Sequence, residues 1–256
     1  MQKRILAIAK NTFWEAVRDK ILYGIVAFAF LFIGAMAVLG TLSLGEDLKI
    51  IKDLGLAGIY FFGLIITIFM AASVMYREIS QRTIYILMAK PVSVFEIVVG
   101  KFFGLLASSS LTIFLMAAVY LATVLIKGGG FDLPSLQAIG LQMGEMSIII
   151  SAALMFSLLS TPLTAVIYGV CLVYIGHTLD FLLGLERLLQ ISSTVQYSTK
   201  AMYYILPNLE KFNIRDLVVH QKLIPLDAFL IAYAYAALYS ALLLYTAGNI
   251  LRKREL

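Results

Sequence analysis

Glu145, His177 and Asp180 are the ionisable residues closest to the apolar runs of the second half of the chain. His177 and Asp180 are three residues apart on one helical face, a spacing that can hold a metal ion or a proton, or simply form a structural pair. Met143 and Met146 offer soft thioether sulfurs of the kind that bind copper, although ten methionines scattered through an apolar chain serve mostly for packing. The histidines number two, His177 and His220, and no Cys/His/carboxylate cluster has zinc spacing, so no residue set is assigned to a metal. No catalytic constellation is legible either. The phosphate-binding pattern GxxxxGK[ST] does not occur: Gly100-Lys101 is followed by Phe102 and opens an apolar run, so the chain has no ATPase of its own.

The most patterned polar stretch is Tyr76 to Lys101, which lies between two uncharged apolar runs and carries Arg77, Glu78, Arg82, Lys90, Glu96 and Lys101. Charges at the centre of a bilayer cost roughly 2.5 to 3.5 kcal/mol each even on lenient insertion scales, so this stretch must face water or another protein. Ile79, Thr83, Ile86 and Leu87 recur at helical spacing and predict a short amphipathic helix, with Glu78 and Arg82 placed four apart to pair along its surface. Pro91 ends it. Ser93 and Glu96 then form a capping box, with Val92 and Ile97 as a hydrophobic staple, and turn the chain sharply into the next apolar run. The same pattern also fits an ordinary cytoplasmic loop of a membrane protein.

These residues are positioned by a chain that reads as an integral membrane protein. Of 256 residues 61% are hydrophobic and 14% charged, and the mean hydropathy is +0.94. Soluble domains carry about 25% charged residues. The net charge of +5 is spread in short juxtamembrane groups, which points to lipid headgroups and not to nucleic acid. The lone Cys171 sits in an apolar run and has no partner for an internal disulfide.

The fold expected is all-α and polytopic. Residues 1–20 read as an interfacial helix, with Trp14 and Tyr23 at the headgroup boundary. Ala35-Met36-Ala37 resembles a signal-peptide cleavage site, but the acidic residues ahead of it and the apolar run beyond it argue against one. Six membrane spans are expected at 21–40, 54–76, 102–126, 139–160, 163–183 and 227–249, each near the ~20 residues a bilayer core requires. Glu46, Asp47, Lys49, Lys52 and Asp53 are assigned to a connecting loop, 77–101 to a cytoplasmic segment, and 184–226 to the longest external segment. Ser160-Thr161-Pro162 breaks the long run between the fourth and fifth spans. With both termini cytoplasmic, twelve of the twenty Lys and Arg residues fall inside, as the positive-inside rule asks. The glycine pairs Gly100/Gly104 and Gly140/Gly144 have the small-xxx-small spacing that lets helices approach.

The order of these features resembles the membrane subunit of a type-2 ABC exporter, most closely the branch of multi-copper-enzyme or nitrous-oxide-reductase maturation permeases. The resemblance is carried by Asn11 to Lys20, Leu42 to Glu46, Tyr76 to Lys101, and Pro207-Asn208-Leu209-Glu210-Lys211-Phe212-Asn213. It implies that a helix after the second span docks into an ATP-binding subunit, here through Glu78, Ile79, Arg82, Thr83, Ile86 and Leu87, with Pro91, Ser93 and Glu96 as the elbow behind it. It implies further that the segment between spans five and six folds back as short re-entrant helices forming an external gate, here with Pro207, Asn208 and Glu210. A homodimer paired with ATP-binding subunits, ATP and magnesium on those partners, and a prokaryotic cell membrane follow from the same resemblance.

Two other classes compete. A non-transporting membrane anchor or assembly scaffold would recruit a partner without moving substrate. A secondary transporter or channel would need intramembrane charge that the spans mostly lack. The transported substrate is not legible in these residues.

Overall fold

The computed structural model describes residues 2–40, 47–81, 92–189 and 193–253. Among them the chain is all-helical: α1 (Gln2–Val17), α2 (Lys20–Gly40), α3 (Asp47–Ser80), α4 (Val94–Ile126), α5 (Leu133–Leu159), α6 (Pro162–Leu189), α7 (Ser193–Ile205), a 3-10 turn (Glu210–Phe212), α8 (Arg215–Val219) and α9 (Leu226–Lys253). Five helices are long and apolar enough to cross a membrane: α3, α4, α5, α6 over Pro162–Gly184, and α9. The first expected span falls on α2, where the described apolar stretch is the shorter Ile25–Ala35.

α5 is the centre of the bundle. It packs against α3, α4, α6 and α9, and 72% of its apolar window is buried, against 22% for α6 and for α9. The outer faces of α6 and α9 therefore carry exposed apolar side chains such as Tyr174, Phe181, Ile231 and Leu238, as bilayer-facing helices do. Two apolar clusters fill the interior. One joins Ala16 to Val74, Met75, Val98 and Leu251. The other joins Ile59, Tyr120 and Ile149 to Leu209, Phe212 and Val218 of the segment before α9.

Two expectations about helix ends need correction. The residues from Asp47 to Asp53, assigned to a loop because they are charged, form the first turns of α3. Their charges are matched within the fold: Lys52 Nζ lies 2.8 Å from Asp132 Oδ2 with both side chains 3% exposed, and Asp53 pairs with Arg215 Nε at 3.2 Å. Asp132 is tied further, because Ser135 Oγ donates to it at 2.6 Å and shares a 2.8 Å hydrogen bond with Tyr120 OH. At the other end α3 continues through Tyr76 to Ser80, so Glu78 and Ile79 belong to its last turn and not to a separate helix. With 34 residues, α3 is about 50 Å long and overhangs a hydrocarbon core of about 30 Å.

The glycine pairs are close-approach points. A Cβ on Gly100 would lie 2.8 Å from Ile8 Cβ, and one on Gly104 2.5 Å from the Ala9 carbonyl oxygen, so α1 lies directly on the backbone of α4. Gly140 and Gly144 face the rings of Phe229 and Phe212.

Candidate functional site

α3 and α4 flank residues 82–91 in the chain. Arg82, Thr83, Ile86, Leu87 and Pro91 lie outside the described residues. The flanks are well defined. Ser93 is the N-cap of α4: its Oγ accepts from the Glu96 amide at 3.2 Å, and the Ser93 amide donates to Glu96 Oε2 at 2.8 Å. Glu78 meets Lys101 at 2.6 Å, and the Lys101 side chain is 1% exposed; the expected partner of Glu78, Arg82, lies outside the described residues. Helical spacing identifies only same-helix neighbours, and Lys101 reaches Glu78 from the adjacent helix. Ile79 packs against the lower apolar cluster. Arg77 turns toward the corner between α1 and α2, 3.4 Å from Asp19 Oδ2 and 3.9 Å from Glu15 Oε1. The base of the 82–91 segment is thus bonded to α1, α3 and α4 together.

A second constellation lies at the opposite end of the bundle. α6 presents His177 between two carboxylates: Nε2 is 3.0 Å from Glu145 Oε1 and Nδ1 is 2.9 Å from Glu210 Oε2. Tyr60 of α3 donates to Glu145 Oε1 at 2.8 Å and stands 2.7 Å from His177 Nε2. Asn213 Nδ2 donates to Glu210 Oε1 at 3.0 Å. These residues, with Gln142, Leu56, Phe212 and Ile214, line a cavity of about 260 Å³. His177 and Asp180, expected as a pair, take different partners: Asp180 Oδ1 accepts from Asn208 Nδ2 at 2.9 Å. They are one helical turn apart on α6 but diverge to opposite ends of the 207–210 segment. Among the described residues no group of three His, Cys, Asp or Glu is arranged to hold a metal ion.

The stretch Pro207 to Glu210 is seated on α6 by backbone contact. The Leu209 amide donates to the Gly176 carbonyl at 3.1 Å, and a Cβ on Gly176 would fall 2.8 Å from the Pro207 carbonyl oxygen. Asn208 is 2% exposed. Its amide donates to Tyr235 OH of α9 at 2.9 Å, and its Oδ1 accepts from the Glu210 amide at 3.1 Å. Lys211 Nζ stands 4.5 Å above the Tyr235 ring, a cation–π contact. Pro207, Asn208 and Glu210 are therefore packed among α5, α6 and α9.

The family model described as ABC-2 family transporter protein matches residues 6–207, from α1 through all of α6 to the start of the packed segment. The chain belongs to the ABC-2 transporter family. As an ABC-2 protein it is a multi-pass transporter membrane subunit, and membership implies an ATP-binding partner. No curated protein matches the chain. The matched range contains α3, α4 and the 82–91 segment between them, and it ends just before Asn208 and Glu210.

Several residues of the ABC-2 chain were not singled out by sequence reasoning. Tyr60 and Gln142 sit inside apolar runs with no pattern around them, and Lys101 reads from the sequence only as a charge at the opening of an apolar run. The signal available for Lys101 was its position eight residues inside a capped helix, where a charge needs a partner.

Proposed function

We propose that the chain is the permease subunit of an ATP-driven ABC exporter, with six spans and both termini cytoplasmic in a prokaryotic cell membrane. Two copies form the substrate path and each engages a separate ATP-binding subunit, which carries the ATP and magnesium; this chain performs no hydrolysis. The sequence resemblance favours the branch of multi-copper-enzyme or nitrous-oxide-reductase maturation permeases. Segment 82–91 docks into the partner through Arg82, Thr83, Ile86 and Leu87.

The observation that carries the coupling role is the Glu78–Lys101 ion pair, which closes the base of that segment across two long helices. A push on 82–91 is then passed to α3 and α4 as a unit, with the Ser93/Glu96 cap stiffening the entry to α4. Glu78 serves this reading as a clamp beside its expected role at the docking surface. On the far side, Pro207, Asn208 and Glu210 form part of a gate whose position follows α6 and α9.

The test is co-purification from native membranes in mild detergent, comparing the natural chain with an Arg82→Ala/Leu87→Asp variant. The expected result is an ATP-binding subunit that accompanies the natural chain and is lost with the variant. A variant that keeps its partner and full ATP-dependent transport overturns the docking assignment. No ATP-binding partner under any condition puts the scaffold reading first.

A further inference from the structure

The cavity between α3, α5, α6 and residues 210–215 is unevenly furnished. Several of its donors already have partners inside the protein. Tyr60 OH donates to Glu145, Gln142 Nε2 donates to the Ile59 carbonyl at 3.1 Å, and Asn213 Nδ2 donates to Glu210. Both nitrogens of His177 face carboxylate oxygens; Arg215 Nε lies 3.2 Å from Asp53 Oδ1 as an ion pair but makes no hydrogen bond.

Two acceptors are left over. Every contact to Glu145 is made at Oε1, so Oε2 receives no hydrogen bond among the described residues. Gln142 makes its contact through Nε2, so its Oε1 is likewise without a donor. Both residues line the cavity, and they are 1% and 6% exposed. An acceptor on a cavity wall that no protein group meets is free to take a donor from a ligand.

Charge points the same way. The carboxyl groups around the cavity, Glu145, Glu210 and Asp53, outnumber its one fixed cation, Arg215, and His177 stands between two of them. The remaining wall, Leu56, Ala138, Phe212 and Ile214, is apolar. A bare metal ion would have no use for that wall, and the acidic side chains are not grouped to ligate one.

We propose that this cavity binds a small organic cation of the alkylammonium class. Its N–H groups donate to Glu145 Oε2 and Gln142 Oε1, and its hydrocarbon body lies against Leu56, Phe212 and Ile214. As a statement about cargo the proposal rests on the permease reading; as a statement about binding it stands apart from it.

The test uses the full chain in detergent, without any ATP-binding subunit, titrated calorimetrically at fixed pH and ionic strength with n-butylammonium, n-butanol and butyrate. The expected result is saturable binding of n-butylammonium, with the neutral and anionic analogues weaker by about tenfold or more, the usual worth of a charge-assisted hydrogen bond. Glu145→Gln, which keeps an oxygen for Tyr60, should lower n-butylammonium affinity by a similar factor. Should that variant fail to fold, Gln142→Met carries the comparison in its place. Absence of n-butylammonium binding, equal binding of n-butanol, or unchanged affinity in the folded variant overturns the proposal. None of these outcomes touches the permease reading, which is decided by the ATP-binding partner.

Discussion

Lys101 Nζ lies 2.6 Å from Glu78 Oε1, joining the last turn of α3 to the second turn of α4 from a position where the lysine side chain is 1% exposed. Removing one partner of a buried pair leaves an uncompensated charge, which costs about 3 to 5 kcal/mol. Glu78→Ala should therefore lower the thermal unfolding midpoint sharply in detergent, and adding Lys101→Met should restore most of the loss. A double variant no more stable than Glu78→Ala would show that the pair is not what joins the helices.

The Ser93 cap makes a smaller and separable contribution. Ser93→Ala should cost about 1 kcal/mol, while Ser93→Asp should retain most of the stability because its carboxylate can accept from the Glu96 amide. Thermal unfolding of the two variants side by side checks this. If the elbow transmits motion, Ser93→Ala should also reduce transport per ATP hydrolysed in reconstituted vesicles more than it reduces hydrolysis.

Gly104 allows α1 to rest on α4, and any side chain there meets the Ala9 carbonyl. Gly104→Val should destabilise by about 1 to 3 kcal/mol, as overpacking generally does. The accompanying sign is faster proteolysis within residues 2–17, since α1 must lift to make room. Gly34→Val, at a position with open space around the Cβ, is the matched control.

Gly176 does the same for the segment before α9. Gly176→Ala should push Leu209 and the Pro207 carbonyl away and break the hydrogen bond that the Leu209 amide donates to the carbonyl of residue 176. Hydrogen exchange at residues 208–213 should rise by about tenfold or more, while exchange in α5 stays unchanged. Unchanged protection at 208–213 would show that the segment is held without this contact.

Much of the fold was legible because bilayer-scale apolar runs and the Pro162 break are composition signals. The Ser93/Glu96 box was equally plain, being a local pattern four residues long. What escaped were relationships between helices. Asp47 to Asp53 were read as a loop because charge marks a loop when it faces water, yet here Lys52 and Asp53 find Asp132 and Arg215 from distant parts of the chain. The Glu78–Lys101 contact had no signal in helical spacing, which names only same-helix neighbours. His177 was given Asp180, when its partners come from α5 and from the 3-10 turn beyond α7. Tyr60 and Gln142 had no sequence signal at all, since a single polar group in an apolar run is ordinary until its neighbours are known. Gly100 and Gly104 had a signal that chance spacing in a chain with eighteen glycines obscured.

Asn208 touches two outer helices at once, through Asp180 on α6 and Tyr235 on α9, each at 2.9 Å. A hydrogen bond tolerates little stretching, and a relative slide of the two helices by much more than about half an ångström breaks one of them. One asparagine thus works as a rivet, so that α6 and α9 travel together as a single plate, and hinging between them must wait until Asn208 lets go.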